Sequence, residues 1–307
     1  MAGAITDDRG RVLVTRRPDH VHQGGLWEFP GGKLEPGETP EQGLARELDE
    51  ELGIRVQASE PLIRVHHDYG DRHILLEVRR VEGYAGVPRG REGQPLVWLA
   101  PDAMDPTRFP AADRPIISAL RLPQRLLITG PDPRDPQTLL ARLERAVQDG
   151  IRLVQLRAHE LEDSAYRELA TRAYAVCIAT GARLLLNRDP ATVADCPRHG
   201  LHLNARLLTA LDRRPGQADE LVGASCHDAA ELARAAALGL DYAVLSPVKP
   251  TATHPHASPI GWSHFFELVD PVAVPIYALG GLASADLSAA IHHGAQGIAA
   301  IRGLWPG

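Results

Sequence analysis

Three features are scarce or missing in this 307-residue chain, and each closes a route. Only three cysteines occur, Cys177, Cys196 and Cys226, odd in number and scattered, so neither a disulfide framework nor a thiolate metal site is supported. That usage suits a reducing, cytoplasmic compartment. Lysine is confined to Lys33 and Lys249, and acids outnumber bases 39 to 33, for a net charge of −6. A broad electrostatic grip on nucleic acid is therefore not expected, and the reading includes no direct nucleic-acid binding. No apolar stretch is long enough to cross a membrane, and the N-terminus lacks the charged and apolar regions of a signal peptide. What is present is globular: 44% hydrophobic and 23% charged residues, over a length that suffices for two cores.

The rhythm of the chain changes near its first third. Ala2-Gly3-Ala4-Ile5 reads as the middle of a strand before the turn Asp7-Asp8-Arg9-Gly10. The given start is therefore expected to clip that strand, which intact-mass analysis of the native protein tests. Val12–Thr15 and 73–81 are further strand patterns. One amphipathic helix is expected at 40–52: Thr39 caps it, Pro40 takes its first position, Gln42 completes a capping box and Gly53 stops it. A second helical pattern, 113–121, precedes the boundary at Pro123-Gln124. Beyond it, apolar runs recur at 126–129, 152–156, 183–186, 201–203, 221–224, 242–245, 275–279 and 297–301. Helical patterns at 136–149, 163–180, 227–238 and 283–292 lie between them. Strand–helix alternation argues for a parallel sheet, and eight repeats for a closed (β/α)8 barrel, with an open seven-unit sheet as the alternative.

The 40–52 helix carries the densest chemistry. Glu47, Glu50 and Glu51 fall on one side with Arg46 alongside, while Leu44, Leu48 and Leu52 line the other. Three carboxylates on one stripe repel each other, and a hard divalent cation removes the conflict, since Mg²⁺ prefers oxygen ligands and also binds substrate phosphates. The preceding loop, Pro30 to Glu38, holds three glycines that let backbone approach a pyrophosphate and a metal. The plainer alternative is a solvated acidic helix behind a glycine turn. Glycine, arginine and glutamate positions agreeing over 23 residues weigh against it.

From Gly32 to Ile54 the segment matches every fixed position of G-x5-E-x7-R-E-U-x-E-E-x-G-U and so resembles the Nudix box. Over residues 1–121 the chain looks closest to the MutT branch, the 8-oxo-dGTP diphosphatases. Thr15-Arg16-Arg17, Trp27 to Lys33, Asp71 to Ile74, Arg91 to Pro95 and Phe109 to Pro115 carry that resemblance. It implies that Glu47, Glu50, Glu51 and Glu92 bind Mg²⁺, with Mn²⁺ as the alternative ion, joined by the Gly31 or Gly32 carbonyl. It further implies that Glu50 or Glu92 helps deprotonate the water, that Arg46 orients the carboxylates and that Glu38 supports the loop. Arg17 and Lys33 would contact phosphate, and Tyr69 and Arg72 would lie near the base. Water would attack the β-phosphorus of a nucleoside triphosphate, releasing monophosphate and pyrophosphate. The family position that reads the oxidised guanine, commonly asparagine, is Asp113, which must be protonated to donate to O6. As a residue alone, Asp113 reads equally well as the N-cap of the next helix.

Residues 125–307 resemble the thiamine-phosphate synthase and thiazole tautomerase (TenI) barrels. The resemblance rests on Val154 to Arg157, Leu186 to Asp189, Gly200 to Leu203, Gly223 to His227, Leu245 to Val248, Ala278 to Gly281 and Gly294 to Ala299. It implies a phosphate cradle at Gly280-Gly281 and the backbone of Ala300-Ile301, though a glycine pair there also suits a plain turn. The departures are several. Ala158-His159-Glu160 stand where the synthase has a lysine, Asn187-Arg188-Asp189 displaces a metal-binding aspartate, Asn204-Ala205 replace another acid, and His254 replaces a loop lysine. Synthase activity is therefore not expected. His227 matches the tautomerase histidine and could move a proton on a thiazole phosphate, or stand as an ordinary pocket histidine. Cys226, its neighbour, should face the core. His254 and His256 read as a mobile loop and His66-His67 as a strand edge, neither as a metal site.

The fold class expected is α/β: an N-terminal Nudix α/β/α sandwich with a mixed sheet, residues 1–122, and a C-terminal TIM barrel, residues 125–307. The function expected is a nucleotide-pool sanitiser that removes 8-oxo-dGTP and so avoids mutation, with a barrel that binds thiazole phosphate. The alternatives are a hydrolase of thiamine-related pyrophosphates, a hydrolase with a sensing barrel, and a bifunctional hydrolase–tautomerase. The partners are small molecules, a nucleotide and a thiazole phosphate, with no membrane; the oligomeric state is left open.

Overall fold

Capping chemistry and short apolar runs recur along the chain at the spacings that helices and strands need, and the computed structural model turns them into two units. It describes residues 1–70, 73–130, 135–251 and 258–305. Arg72, His254 and His256 lie outside the described residues. Met1–Arg121 form one unit and Leu122–Gly307 the other.

In the first unit, β1 (Ala2–Ile5) is followed by β2 (Val12–Arg16), β3 (Trp27–Glu28), α1 (Pro40–Leu52), β4 (Arg55–Asp68), β5 (His73–Ala85), β6 (Leu96–Leu99) and α2 (Arg114–Arg121). The mixed sheet is β1-β5-β4, in which β1 runs parallel and β4 antiparallel to β5. An antiparallel sheet, β3-β2-β6, joins it through the isolated bridge Thr6–Val12. α1 keeps the bounds that its caps dictate. Thr39 Oγ1 accepts the Gln42 amide at 3.3 Å, Gln42 Oε1 accepts the Thr39 amide at 2.9 Å, and Gly53 closes the helix at φ 70°. Leu44, Leu48 and Leu52 are fully buried against Ile5, Leu13, Ile54 and Val81. α2 begins at Arg114 rather than at 113, because Asp113 closes a separate 3₁₀ turn, Ala111–Asp113.

The second unit alternates β7 (Arg125–Ile128), α3 (Pro136–Gln148), β8 (Leu153–Leu156), α4 (Asp163–Ala179), β9 (Arg183–Leu186), β10 (Gly200–Leu203), α5 (Ala205–Ala210), β11 (Leu221–Cys226), α6 (Ala229–Ala237), β12 (Tyr242–Leu245), α7 (Gly261–Val269), β13 (Ile276–Leu279), α8 (Leu287–His292) and β14 (Gly297–Ala300). All eight strands are parallel and close into a barrel, so the open-sheet alternative fails. Alternation along each strand makes two cores. Leu126, Ile128, Leu153, Leu185, Tyr242, Val244 and Tyr277 fill the lumen. Leu127, Val154, Ala243 and Cys226 face outward, in the core that includes the helical residues Leu143, Leu169 and Phe265. Gly223 on β11 makes room for the inward Tyr242: a Cβ there would stand 2.1 Å from the tyrosine ring.

Candidate functional site

In the first unit, one arginine organises the acidic face of α1. Arg46 donates to both oxygens of Glu38, Nε at 2.8 Å and Nη2 at 3.0 Å, and Nη2 also reaches the Lys33 carbonyl at 3.0 Å. Its Nη1 lies 3.2 Å from Glu47 Oε1 and 3.3 Å from Glu50 Oε2. One guanidinium thus ties the glycine loop to two successive turns of helix, using the fork that only arginine offers. Bonding from Arg46, and then from the Glu35 amide, holds the Glu38 carboxyl down at about 2.

Glu51 is the opposite case. Burial, together with the neighbouring charges of Glu47, Glu92 and Glu28, raises its carboxyl to about 7 against the bond from the Gly31 amide at 3.1 Å. Glu92 is brought in by its loop: the Glu51 carbonyl accepts the Arg91 amide at 2.9 Å and Gln94 Nε2 at 3.3 Å, while Gln94 Oε1 accepts the Glu92 amide at 2.9 Å. Gly32 lies so close that a Cβ would stand 2.2 Å from the Glu47 carboxyl. The Gly32 carbonyl accepts from the Met1 amino group at 2.7 Å. Among the described residues no three acids, histidines or cysteines form a ready metal cage. The acids that gather here suit a cation that keeps water and takes substrate phosphates as further ligands, which is how Mg²⁺ is usually held.

Toward the expected base end, Arg17 pairs with Glu28 and donates from Nε to the His22 carbonyl at 3.1 Å. Glu28 is half-buried, and burial raises its carboxyl while Arg17 opposes. Asp113 is 7% exposed. Burial, then the charge of Glu28, lifts it to about 7, while Arg17 and a hydrogen bond from the Phe29 amide pull against them. That bond runs across to the residue after β3. Tyr69 stands between His67 and His22, with ring centroids 4.4 and 5.5 Å away. Lys33 is exposed.

In the barrel, a cavity of about 1000 Å³ opens at the strands' C-terminal ends, lined by Gln155, Arg157, Asn187, Ser225, His227, Gly280, Gly281, Ala300 and Ile301 among others. The Gly280-Gly281 pair sits at φ 105° and 65°, and Cβ atoms there would press on Pro247 at 2.8 Å and on the Pro250 carbonyl at 2.4 Å. His227 Nδ1 and its backbone amide both meet Glu231 Oε2, at 3.0 and 2.7 Å, which leaves Nε2 for the cavity. Cys226 is fully buried in the outer core, its thiol pushed up to about 12 by burial. Arg188 turns away to Asp163 at 2.8 Å and the Leu161 carbonyl at 2.6 Å, over the Tyr166 ring. Ala158 is buried, and Asn204 caps α5.

Two family models match this chain: one described as NUDIX domain over residues 1–119, and one described as thiamine monophosphate synthase over residues 126–304. The 8-oxo-dGTP diphosphatase of Escherichia coli (strain K12) is 40% identical over 119 residues, 39% of this chain and 92% of that protein. The CTP pyrophosphohydrolase of the same organism is 37% identical over 119 residues, 39% of this chain and 88% of that protein. The putative thiamine-phosphate synthase of Geobacter sulfurreducens is 32% identical over 180 residues, 58% of this chain and 84% of that protein.

This chain belongs to both families. It is a Nudix hydrolase joined to a thiamine monophosphate synthase-type barrel. Of the residues singled out in the Nudix sequence, the fold brings Arg46, Glu47, Glu50, Glu51, Glu92, Gly31 and Gly32 to one place, and Arg17 and Asp113 around Glu28. Glu28 is the residue that sequence reasoning passed over. It lies inside the stretch quoted for the resemblance, but its charge acts on both Glu51 and Asp113 only because β3 runs between them. In the barrel, Glu231 behind His227 was likewise missed; its signal is the four-residue spacing across the start of α6.

Proposed function

We propose that the Nudix unit is a Mg²⁺-dependent nucleoside triphosphate pyrophosphohydrolase that prefers 8-oxo-dGTP and so cleans the nucleotide pool. The observation that carries the reading is the half-buried Glu51, pressed among Glu47, Glu92 and Glu28, a charge conflict that a bound cation relieves. Glu47, Glu50, Glu51 and Glu92, with the Gly31 or Gly32 carbonyl, would hold the ion. When bound, Mg²⁺ supplies charge neutralisation on the phosphates and acidifies a water. Arg46 keeps Glu47 and Glu50 aligned, and Glu50 or Glu92 takes the proton from the attacking water. Arg17, exchanging Glu28 for phosphate, and the exposed Lys33 would grip the chain of phosphates. The new oxygen–phosphorus bond forms at the β-phosphorus as its bond to the α–β bridging oxygen breaks, leaving monophosphate and pyrophosphate.

Base choice rests on Asp113. A carboxyl at about 7 carries its proton in half the molecules near neutral pH, and that neutral form can donate to O6. The test is pyrophosphate release with Mg²⁺ from 8-oxo-dGTP, dGTP, the other deoxynucleotides, CTP, ADP-ribose and thiamine pyrophosphate, with Glu51→Gln as control. Preference for 8-oxo-dGTP, lost in the control, supports the reading; preference for CTP or thiamine pyrophosphate overturns it.

For the barrel we propose a binding site for thiazole phosphate without synthase activity, since buried Ala158 and outward Arg188 leave no lysine or acid at those positions. The Glu231–His227 pair favours one added activity, tautomerisation, with His227 Nε2 moving the proton.

A further inference from the structure

Of the four acids assigned to the cation, three are held by a neighbouring group. Arg46 binds Glu47 and Glu50, and the Gly31 amide binds Glu51. Glu92 is exposed, and among the described residues its carboxylate has no hydrogen-bond or ion-pair partner. Its place near Glu51 therefore rests on its backbone, in the loop between β5 and β6.

That loop sits on the C-terminal end of α1. The last carbonyls of a helix have no partner within it, and the negative end of its dipole opposes the acids Asp49, Glu50 and Glu51 carried there. α1 has no basic residue in its last turn. The loop supplies both kinds of group. The Leu52 carbonyl accepts the Arg89 amide at 3.0 Å, and the Glu51 carbonyl accepts the Arg91 amide at 2.9 Å. Arg91 Nη1 then reaches the Asp49 carbonyl at 2.7 Å. Gly53 makes room for it: a Cβ there would stand 2.6 Å from Arg91 Nε and 2.7 Å from Nη2. Gly93, at φ 77°, returns its amide to the Gly90 carbonyl at 3.2 Å, so Arg91 and Glu92 are the two central residues of a closed turn. The Arg91–Asp49 ion pair does not fix that turn. It spans 3.6 Å with both side chains more than half exposed, and such pairs contribute little.

We propose that Arg91 is a positioning residue of the hydrolase: its guanidinium, seated in the space left by Gly53, clamps the 90–93 turn to the end of α1 and so holds Glu92 beside Glu51. Arg91 touches neither substrate nor ion. The inference rests on the reading of Glu92 as a cation ligand, and it gives Gly53 a second use besides ending the helix.

The test compares the full wild-type chain with Arg91→Met, Arg91→Lys, Glu92→Gln and the double variant Arg91→Met/Glu92→Gln. Mn²⁺ affinity is read without nucleotide from the electron paramagnetic resonance signal of the free ion. Pyrophosphate release with Mg²⁺ gives kcat and KM for 8-oxo-dGTP and dGTP. Arg91→Met should weaken Mn²⁺ binding about tenfold and lower kcat about tenfold, with KM within about twofold. Because Arg91 is more than half exposed, that variant should still fold and melt within about 5 °C of the wild type. Arg91→Lys, which keeps one donor for the carbonyl, should recover most of the loss. In the Glu92→Gln background, removing Arg91 should cost less than about twofold in either readout, since the group it places is gone. Asp49→Asn, which deletes the ion pair and keeps the carbonyl, should match the wild type. Losses that multiply in the double variant, or wild-type Mn²⁺ affinity and kcat in Arg91→Met, overturn the clamp. Wild-type Mn²⁺ affinity and kcat in Glu92→Gln overturn instead the reading of Glu92 on which the clamp rests, and the clamp with it.

Discussion

Asp113→Asn separates the protonation argument from every assumption about substrate. In the folded chain the Asp113 carboxyl stands at about 7 against an ordinary value of 3.8, chiefly because it is buried and secondarily because Glu28 is near. Between those two values the folded state holds a proton that the unfolded state has released. Stability is therefore fully present below about pH 4, falls as pH rises, and levels off once Asp113 ionises in the fold above about 7. The slope is about 1.4 kcal/mol per pH unit, and the accumulated cost about 4 kcal/mol. Asparagine has a similar shape, keeps an oxygen for the Phe29 amide and cannot ionise. The stability difference between variant and wild type should thus rise steeply from pH 5 to 7 and be flat above, measured by urea unfolding at a series of pH values. Activity should follow the same proton. Above about pH 7 the wild type's preference for 8-oxo-dGTP over dGTP should drop about tenfold per pH unit, while the variant, whose amide always donates, keeps its preference. A stability difference that does not vary with pH would refute the raised carboxyl, and with it the account of how an aspartate reads this base.

Three further outcomes are expected. Glu51→Gln should lose pyrophosphate release by about a hundredfold or more, and chelation by EDTA should do the same reversibly, with Mg²⁺ restoring the rate in a steady-state assay. Gly32→Ala places a Cβ 2.2 Å from the Glu47 carboxyl. That flexible side chain must shift, so thermal stability should change by no more than about 1 kcal/mol while kcat falls about tenfold or more. His227→Ala should abolish thiazole tautomerisation, followed by proton exchange into the product, and leave nucleotide hydrolysis at its wild-type rate.

What could be read directly from the chain was whatever local chemistry specifies. α1 has its cap, its box and its glycine stop within fifteen neighbouring residues, and its leucine and glutamate faces follow from helical period alone. The barrel strands are four- to six-residue apolar runs between helical patterns, and their number led to closure. β4 was not legible. It is fourteen residues long, mostly half-exposed, contains Pro61 and pairs with β5 through three register shifts, so no clean alternation marks it. α5 and α7 were not anticipated, although α6 and α8, of the same nine and six residues, were.

The division at the sites is sharper. By itself the sequence determined which groups exist and, through helical spacing, that Glu47, Glu50 and Glu51 share a face with Arg46 beside them. Only the tertiary structure decided what those groups are. It raised the carboxyls of Glu51 and Asp113 through burial, paired Arg17 with Glu28 and turned Arg188 outward to Asp163. The reason is physical. Capping and periodicity are short-range and fixed by neighbours in sequence, whereas burial and charge sum over everything nearby in space. Residues 17, 28, 29 and 113 meet at one point only after β2, β3 and the turn before α2 have packed.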